Sequence, residues 1–294
     1  MTVKIRNSIL LVLIITMMTS CSPQAKKTST GNQPVKLVYT DWSEAVAITT
    51  LAKILLKDEM GIEVHTKLTS VDSAYADVAS GNADVFADAW LPKTHARYLK
   101  AHPDAFDKLG IIYPGARTGL VVPNYSKFHS ISDLKGTDIQ IVGIDSTAGV
   151  MFQARKAIQQ YGLDGVTLKN LSEKEMTSRF SDAYKRMEEI VITGWEPHWL
   201  FDRYEVRFLD DPKQVFGDRE NIYALGTSGI EQRLPKVVRF FERIQLSGKQ
   251  INSLIYDMRS EVDPEDGVRE WIRKNEYVVN QWIKGLTPDR NKIM

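Results

Sequence analysis

The first apolar block of the chain is continuous rather than periodic. Ile9, Leu10, Leu11, Val12, Leu13, Ile14 and Ile15 follow a basic head of Lys4 and Arg6, and Met17 and Met18 extend the run. This is shorter than the roughly 20 apolar residues a bilayer span requires. Its basic-then-apolar order predicts an export signal over residues 1–20. Residues 22–35 carry Ser, Thr, Lys, Gln, Pro and Gly without an apolar period, which predicts a flexible tether. Periodic segments begin after it. Residues 35–40 alternate as a strand, with Val35, Leu37 and Tyr39 on one face. Residues 45–57 place Ala47, Ile48, Leu51, Ile54 and Leu55 at helical spacing. Residues 63–68 read as a strand, 73–80 as a short helix stopped by Gly81, and 83–89 as a third strand. That alternation predicts a parallel sheet with right-handed crossovers.

A second set follows. Residues 119–123 (GLVVP) form a compact apolar strand, and 138–144 form another that runs into a small-residue turn and a helix over 150–161. A strand over 166–170, a helix over 176–187 and a strand over 189–193 complete it. Residues 205–209 lead the chain back. Residues 230–284 are helical, with breaks near Pro235, Gly248 and Pro264. Two α/β sets and a helical return predict two lobes. In open sheets ligands collect beyond the carboxyl ends of the strands. Those places hold Asp41-Trp42, Ala89-Trp90, the turn at 144–149 and Gly194-Trp195.

Three of these four places carry Trp, out of six Trp in the chain. Trp271 and Trp282, eleven residues apart, share a helical face and are assigned to packing. Trp199, four residues after Trp195, is assigned to packing beside it. Trp42, Trp90 and Trp195 each follow a strand. They either converge on a ligand or are buried at a seam between domains. Converging indole faces suit a quaternary ammonium, which has no N–H to donate but is attracted by π faces. The segment Gly143-Ile144-Asp145-Ser146-Thr147-Ala148-Gly149-Val150-Met151 turns from a strand into a helix start. Unpaired N–H groups and the helix dipole favour an anion there. It lacks the glycine spacing of a nucleotide loop and is sized for a carboxylate. A cation cage beside a carboxylate nest describes a small zwitterion.

Charge narrows the choice. Lys and Arg total 38 against 37 Asp and Glu, and loss of Lys4 and Arg6 with the leader leaves 36 against 37. No basic excess exists for a nucleic-acid partner. The single Cys excludes an internal disulfide and a multi-Cys metal site. It stands at Met18-Thr19-Ser20-Cys21, directly after the apolar run. This resembles the bacterial lipobox, with Met18 where Leu is usual, and predicts lipidation of Cys21 and a membrane anchor. There is no nucleophile elbow and no HExxH pattern. His95, Glu196 and His198 lie at separations that suggest no metal site.

At these residues the sequence resembles the substrate-binding proteins of ABC transporters for glycine betaine and related compatible solutes. The resemblance rests on Asp41-Trp42-Ser43-Glu44-Ala45, on Gly81-Asn82-Ala83-Asp84 and on Ala89-Trp90-Leu91-Pro92-Lys93-Thr94-His95. It continues through Gly119-Leu120-Val121-Val122-Pro123, the turn at 143–151, Thr193-Gly194-Trp195-Glu196-Pro197-His198-Trp199, Phe208-Leu209-Asp210-Asp211-Pro212-Lys213 and Glu270-Trp271-Ile272. It implies an α/β, two-lobed periplasmic-binding-protein fold of type II. Each lobe would be a mainly parallel sheet flanked by helices, with the ligand cleft between them. The expected organisation is a lipoprotein signal at 1–20, a tether at 21–35, lobe I at 36–119, lobe II at 120–208, a return to lobe I at 209–286 and a tail at 287–294.

The resemblance further implies that Trp42, Trp90 and Trp195 form a trimethylammonium cage. It implies that the backbone N–H groups of Gly149 and Val150 hold a carboxylate. His95, His198 and Thr147 are accessory candidates: His95 for ligand contact, His198 as a structural group beside the cage, and Thr147 as a hydroxyl near the carboxylate or a helix cap. Ser146 and Thr147 depart from the Pro, Ala or Gly frequent in relatives. The implied protein is a monomeric receptor outside the cytoplasm that needs no cofactor and no metal, and is not an enzyme. It delivers its solute to a permease served by a separate ATPase subunit. Choline, carnitine and proline betaine are alternative ligands; a secreted enzyme or a ligand sensor is the remote alternative.

Overall fold

The computed structural model describes residues 34–288. The leader, Cys21 and all but the last two residues of the tether lie outside the described residues. The first alternation appears as β1 (Val35–Tyr39), α1 (Ser43–Ile54), β2 (Val64–Leu68), α2 (Val71–Ala79) and β3 (Val85–Leu91). A short α3 (Ala96–Ala101) leads to the long β4 (Phe106–Pro123). The second alternation is β5 (Gln140–Val142), α4 (Gly149–Tyr161), β6 (Thr167–Lys169), α5 (Glu173–Lys185) and β7 (Val191–Glu196). Then come α6 (Leu200–Arg203), β8 (Val206–Phe208) and β9 (Glu220–Thr227). The last stretch is α7 (Ile230–Arg233), α8 (Pro235–Arg243), α9 (Gly248–Ser260), α10 (Pro264–Lys274) and α11 (Glu276–Ile283).

The predicted breaks in that stretch are helix starts. Pro235 and Pro264 each occupy the first turn, where a missing N–H costs nothing. Ser247 caps α9 in a reciprocal box with Gln250. The predicted single helix carrying both Trp271 and Trp282 is two helices, parted by an unpredicted break at Asn275. Their rings still meet, stacked at 6.4 Å between centroids.

The strands lie in the order β2-β1-β3-β9-β4-β7-β5-β6, with β8 on β4. Each half keeps the predicted parallel part: β1 with β2 and β3, and β5 with β6 and β7. Each also has an antiparallel part, because β9 runs against β3 and β4, and β4 runs against β7 and β8. The alternation did not reveal β9. Its sequence ENIYALGT is buried on both faces near its end and lacks a clean period. Residues 106–116 of β4 pair with β9 and residues 117–121 pair with β7, so one strand belongs to both lobes. After β8 the chain does not return at once. Asp211 accepts the Tyr161 hydroxyl at 2.6 Å and the Phe216 N–H at 2.8 Å, which keeps 211–216 beside α4. The return to the first sheet is complete at Glu220.

β3 shows why the sheets hold. All seven of its residues, VFADAWL, are buried. Two of them, Asp88 and Trp90, carry polar groups that need partners inside the protein. Among the described residues no helix is long and apolar enough to cross a membrane.

Candidate functional site

The carboxyl ends of β1, β3 and β7 and the amino end of α4 meet at one cavity. About 270 Å³ of space there is lined by Trp42, Glu44, Trp90, Thr94, His95, Thr118, Ile144, Ala148, Gly149, Val150 and Trp195. Trp42 is the N-cap residue of α1, just beyond β1. Trp90 and Trp195 lie inside their strands rather than after them, each the last residue but one. The ladder runs past the predicted ends because β9 pairs with residues 89–91 and β4 pairs with Trp195 and Glu196. All three indoles are nearly inaccessible, at 6%, 3% and 3% exposed.

A buried indole N–H needs an acceptor. Both strand tryptophans use a carboxylate. Trp90 Nε1 donates to Asp88 Oδ1 at 3.0 Å, and Trp195 Nε1 donates to Glu44 Oε2 at 2.9 Å. Glu44 and Asp88 are both 1% exposed. Burial pushes the Glu44 carboxyl well above the usual carboxylate range, helped by the charges of Asp88 and Glu173 and opposed by the Trp195 bond. Burial likewise pushes Asp88 up against the pull of its Trp90 bond.

His95 lines the cavity and is fixed from its own lobe. Its Nδ1 accepts the Trp90 N–H at 3.1 Å and lies 3.2 Å from the Tyr75 hydroxyl. This assignment places the ring proton on Nε2. Burial, with a smaller contribution from Arg97, lowers its pKa to about 3, so it is a neutral donor. The start of α4 presses on this corner. A Cβ on Gly149 would lie 2.2 Å from Thr94 Cγ2 and 2.7 Å from the Thr94 carbonyl oxygen. Only glycine permits that approach. Ala148, the N-cap of α4, makes no side-chain cap bond. The first-turn N–H groups of Gly149 and Val150 have no intrahelical acceptor.

Two accessory candidates do not line the cavity. Thr147 donates its hydroxyl and N–H to Asp145 Oδ1, and its carbonyl oxygen accepts the Tyr98 hydroxyl at 2.8 Å. It is neither the cap of α4 nor a cavity hydroxyl. His198 stands behind Trp195, its ring edge-on at 4.7 Å, and its Nε2 meets Glu173 Oε1 at 3.1 Å. Trp199 stacks on His198, with the Arg259 guanidinium 4.5 Å over its ring.

Glu44, Thr94, Thr118, Ile144 and Ala148 complete the lining and were not singled out in the sequence. Glu44 had a usable signal. It shares a helical face with Ile48, Leu51 and Leu55, which places a carboxylate on the buried side of α1. Asp88 had one too, as a charge inside an apolar strand.

A sequence profile for the substrate binding domain of the ABC-type glycine betaine transport system matches residues 33–274. The chain belongs to this family. A substrate-binding domain of this kind holds its solute unchanged, so the chain is not an enzyme. The glycine betaine/carnitine transport binding protein GbuC of Listeria monocytogenes serotype 1/2a (strain 10403S) is 34% identical over 148 residues, 50% of this chain. The match covers 49% of that relative, so the chain spans about half its length. Lactococcal OpuAC, in its closed-liganded conformation with glycine betaine, superposes with a TM-score of 0.81 at 32% identity, over 86% of this chain and 100% of that one. The glycine betaine, L-proline-binding protein ProX of Borrelia burgdorferi gives 0.81 at 29% identity, over 87% and 97%. The fold is thus the α/β periplasmic-binding-protein fold that the motifs implied.

Proposed function

We propose that the protein captures glycine betaine, or a closely related quaternary-ammonium zwitterion, and delivers it to an ABC permease for osmoprotectant uptake. The observation that carries this reading is the shared cavity of Trp42, Trp90, Trp195, Gly149 and Val150. In it, π faces attract the trimethylammonium group at ~0.5–2 kcal/mol each. The amino end of α4 receives the carboxylate through the Gly149 and Val150 N–H groups. His95 Nε2–H is an accessory donor to the same carboxylate. Glu44 accepts the Trp195 indole N–H and so orients that wall of the cage.

Lobe I offers Trp42 and Trp90; lobe II offers Trp195 and α4. A ligand touching both stabilises the closed form through that differential contact. The closed monomer then docks on the permease, and a separate subunit spends ATP. Residues 1–20 act as a lipoprotein signal, and lipidated Cys21 with the tether at 21–35 holds the lobes at the membrane outside the cytoplasm. In this reading 36–119 and 209–286 build lobe I and 120–208 build lobe II, with 211–216 still lying against lobe II before the chain rejoins the first sheet at Glu220, and 287–294 form a tail. Carnitine is the second reading, favoured because the Listeria relative is a glycine betaine/carnitine transport binding protein.

Calorimetric titration of the protein with glycine betaine, proline betaine, carnitine, choline and glycine tests the ligand. Glycine keeps the carboxylate but lacks the methyl groups, so it should fail where glycine betaine binds. Equal binding of glycine would remove the cage from the account. Mass spectrometry tests the anchor: acyl addition should be present in the native protein and absent from Cys21→Ser.

A further inference from the structure

Glu173 opens α5 in a run of charged residues, Glu173-Lys174-Glu175, yet it is buried where its neighbours are exposed. Its carboxylate leaves its own lobe. Oε2 accepts the Ser43 N–H at 2.8 Å, and Oε1 accepts the Ser43 hydroxyl. Ser43 is the first residue of α1, whose N-cap residue Trp42 provides no side-chain cap. The amino end of a lobe I helix is thus capped by a lobe II carboxylate. Such a group satisfies an orphan donor and faces the positive end of the helix dipole.

The same carboxylate reaches the other cage wall. Oε1 lies 3.1 Å from His198 Nε2, while His198 Nδ1 accepts the Leu200 N–H at 3.0 Å. This assigns the imidazole proton to Nε2, which donates to Glu173. Burial works against the charge on Glu173, but the His198 and Ser43 bonds outweigh it and hold the carboxyl below its usual range. Asp41 and Glu44 are the neighbouring acids that feel this charge. Glu173 therefore ties the helix after Trp42 to the turn after Trp195, without lining the cavity.

We infer that Glu173 is an inter-lobe latch: by capping α1 across the cleft and holding His198, it favours the closed state and slows release of the ligand. The inference rests on the closing receptor proposed above. Glu173 is a positioning residue; it touches no ligand.

The test compares wild type with Glu173→Ala and Glu173→Gln. Stopped-flow tryptophan fluorescence with glycine betaine reads dissociation. Spin labels at Lys156→Cys and Tyr277→Cys, exposed positions on the two lobes, read the inter-lobe distance in a Cys21→Ser background with and without ligand. Thermal melting reads the ligand-free fold. The latch predicts dissociation faster by about ten-fold in Glu173→Ala, since bonds to a charged group are lost. Glu173→Gln, which keeps one acceptor for Ser43, should fall between. The closed distance should lose population, while the ligand-free melting temperature falls only by what the lost bond to His198, within lobe II, costs. Unchanged dissociation and distances overturn the latch. So does a ligand-free melting loss in both variants that accounts for the whole change in binding. A wild type that binds no betaine refutes the proposed ligand but not the latch, which the ligand-free distances then decide. A wild type that never closes, with or without betaine, overturns the latch as well.

Discussion

The walls built by β3 and β7 look alike in sequence and differ in how they are held. Trp90 and Trp195 each stand one residue from a strand end, each with an indole N–H on a buried carboxylate and a histidine shortly after. On β3 every partner is local: Asp88 lies two residues away, and His95 is gripped by the Trp90 N–H and Tyr75. On β7 the partners cross the cleft. Trp195 reaches Glu44 of lobe I directly, and His198 is held by Glu173 of its own lobe, which in turn reaches Ser43 of lobe I. The β3 wall is complete within its lobe, whereas the β7 wall is completed by closure. A receptor built this way keeps one rigid docking surface for its ligand and makes the second conditional on capture.

The largest expected effect breaks both walls at once. Gly149→Ala places a methyl against the Thr94 side chain and carbonyl across the cleft. Glycine betaine affinity should fall by about 100-fold, ~2.7 kcal/mol, because closure is blocked. Ligand-free stability should hold, since the clash exists only when the lobes meet. Calorimetry and thermal melting check the two halves of that statement.

Next come the walls themselves. Trp90→Ala and Trp195→Ala should each weaken binding by about ten-fold or more while the fold survives. The asymmetry should appear in the ligand-free melting temperature. Trp90→Ala strips Asp88 Oδ1 of its indole partner within lobe I, and Asp88 Oδ2 already has no hydrogen-bond partner among the described residues. Trp195→Ala removes a partner that Glu44 meets only across the cleft. Equal melting losses would erase the distinction between a prebuilt wall and a conditional one.

A smaller effect sharpens the β7 side. Glu44→Gln keeps an acceptor for Trp195 but replaces a carboxyl whose pKa burial raises, so it weakens the indole's hydrogen bond beside the cation rather than removing a full charge. Affinity should fall by about three-fold, within the range of a single weakened electrostatic contact. Calorimetry at neutral pH measures it.

A separate effect, read in stability rather than in affinity, is a pH slope on the β3 side. His95 titrates at about 3 in the folded chain against 6.5 as the ordinary value. Between those values the unfolded chain binds a proton that the folded chain refuses. Stability should therefore fall as pH drops from about 6.5, by up to about 1.4 kcal/mol per pH unit from this group. Above that window His95 contributes nothing to the slope. Urea unfolding of His95→Gln across the same range should show the slope reduced by that amount; an unchanged slope would remove His95 as its source.

The sequence by itself determined most of the local elements and part of the cavity lining. Period two over β1 and helical period over α1 follow from side-chain direction, and the strand-end rule then picked out Trp42, Trp90, Trp195 and the start of α4. Only the tertiary structure decided what those residues lean on. Glu173 looks like an ordinary acid in a local window, and for Glu44 and Asp88 the local pattern marks a buried position without naming a partner. Their burial, their shifted titration and their indole, hydroxyl and imidazole partners arise from contacts over as many as 151 positions, as between Glu44 and Trp195. The unpredicted β9 has the same cause. A strand buried on both faces takes its register from neighbours on either side rather than from a pattern of its own. Side-chain periodicity is a property of neighbours in the chain, whereas desolvation and charge pairing are properties of neighbours in space.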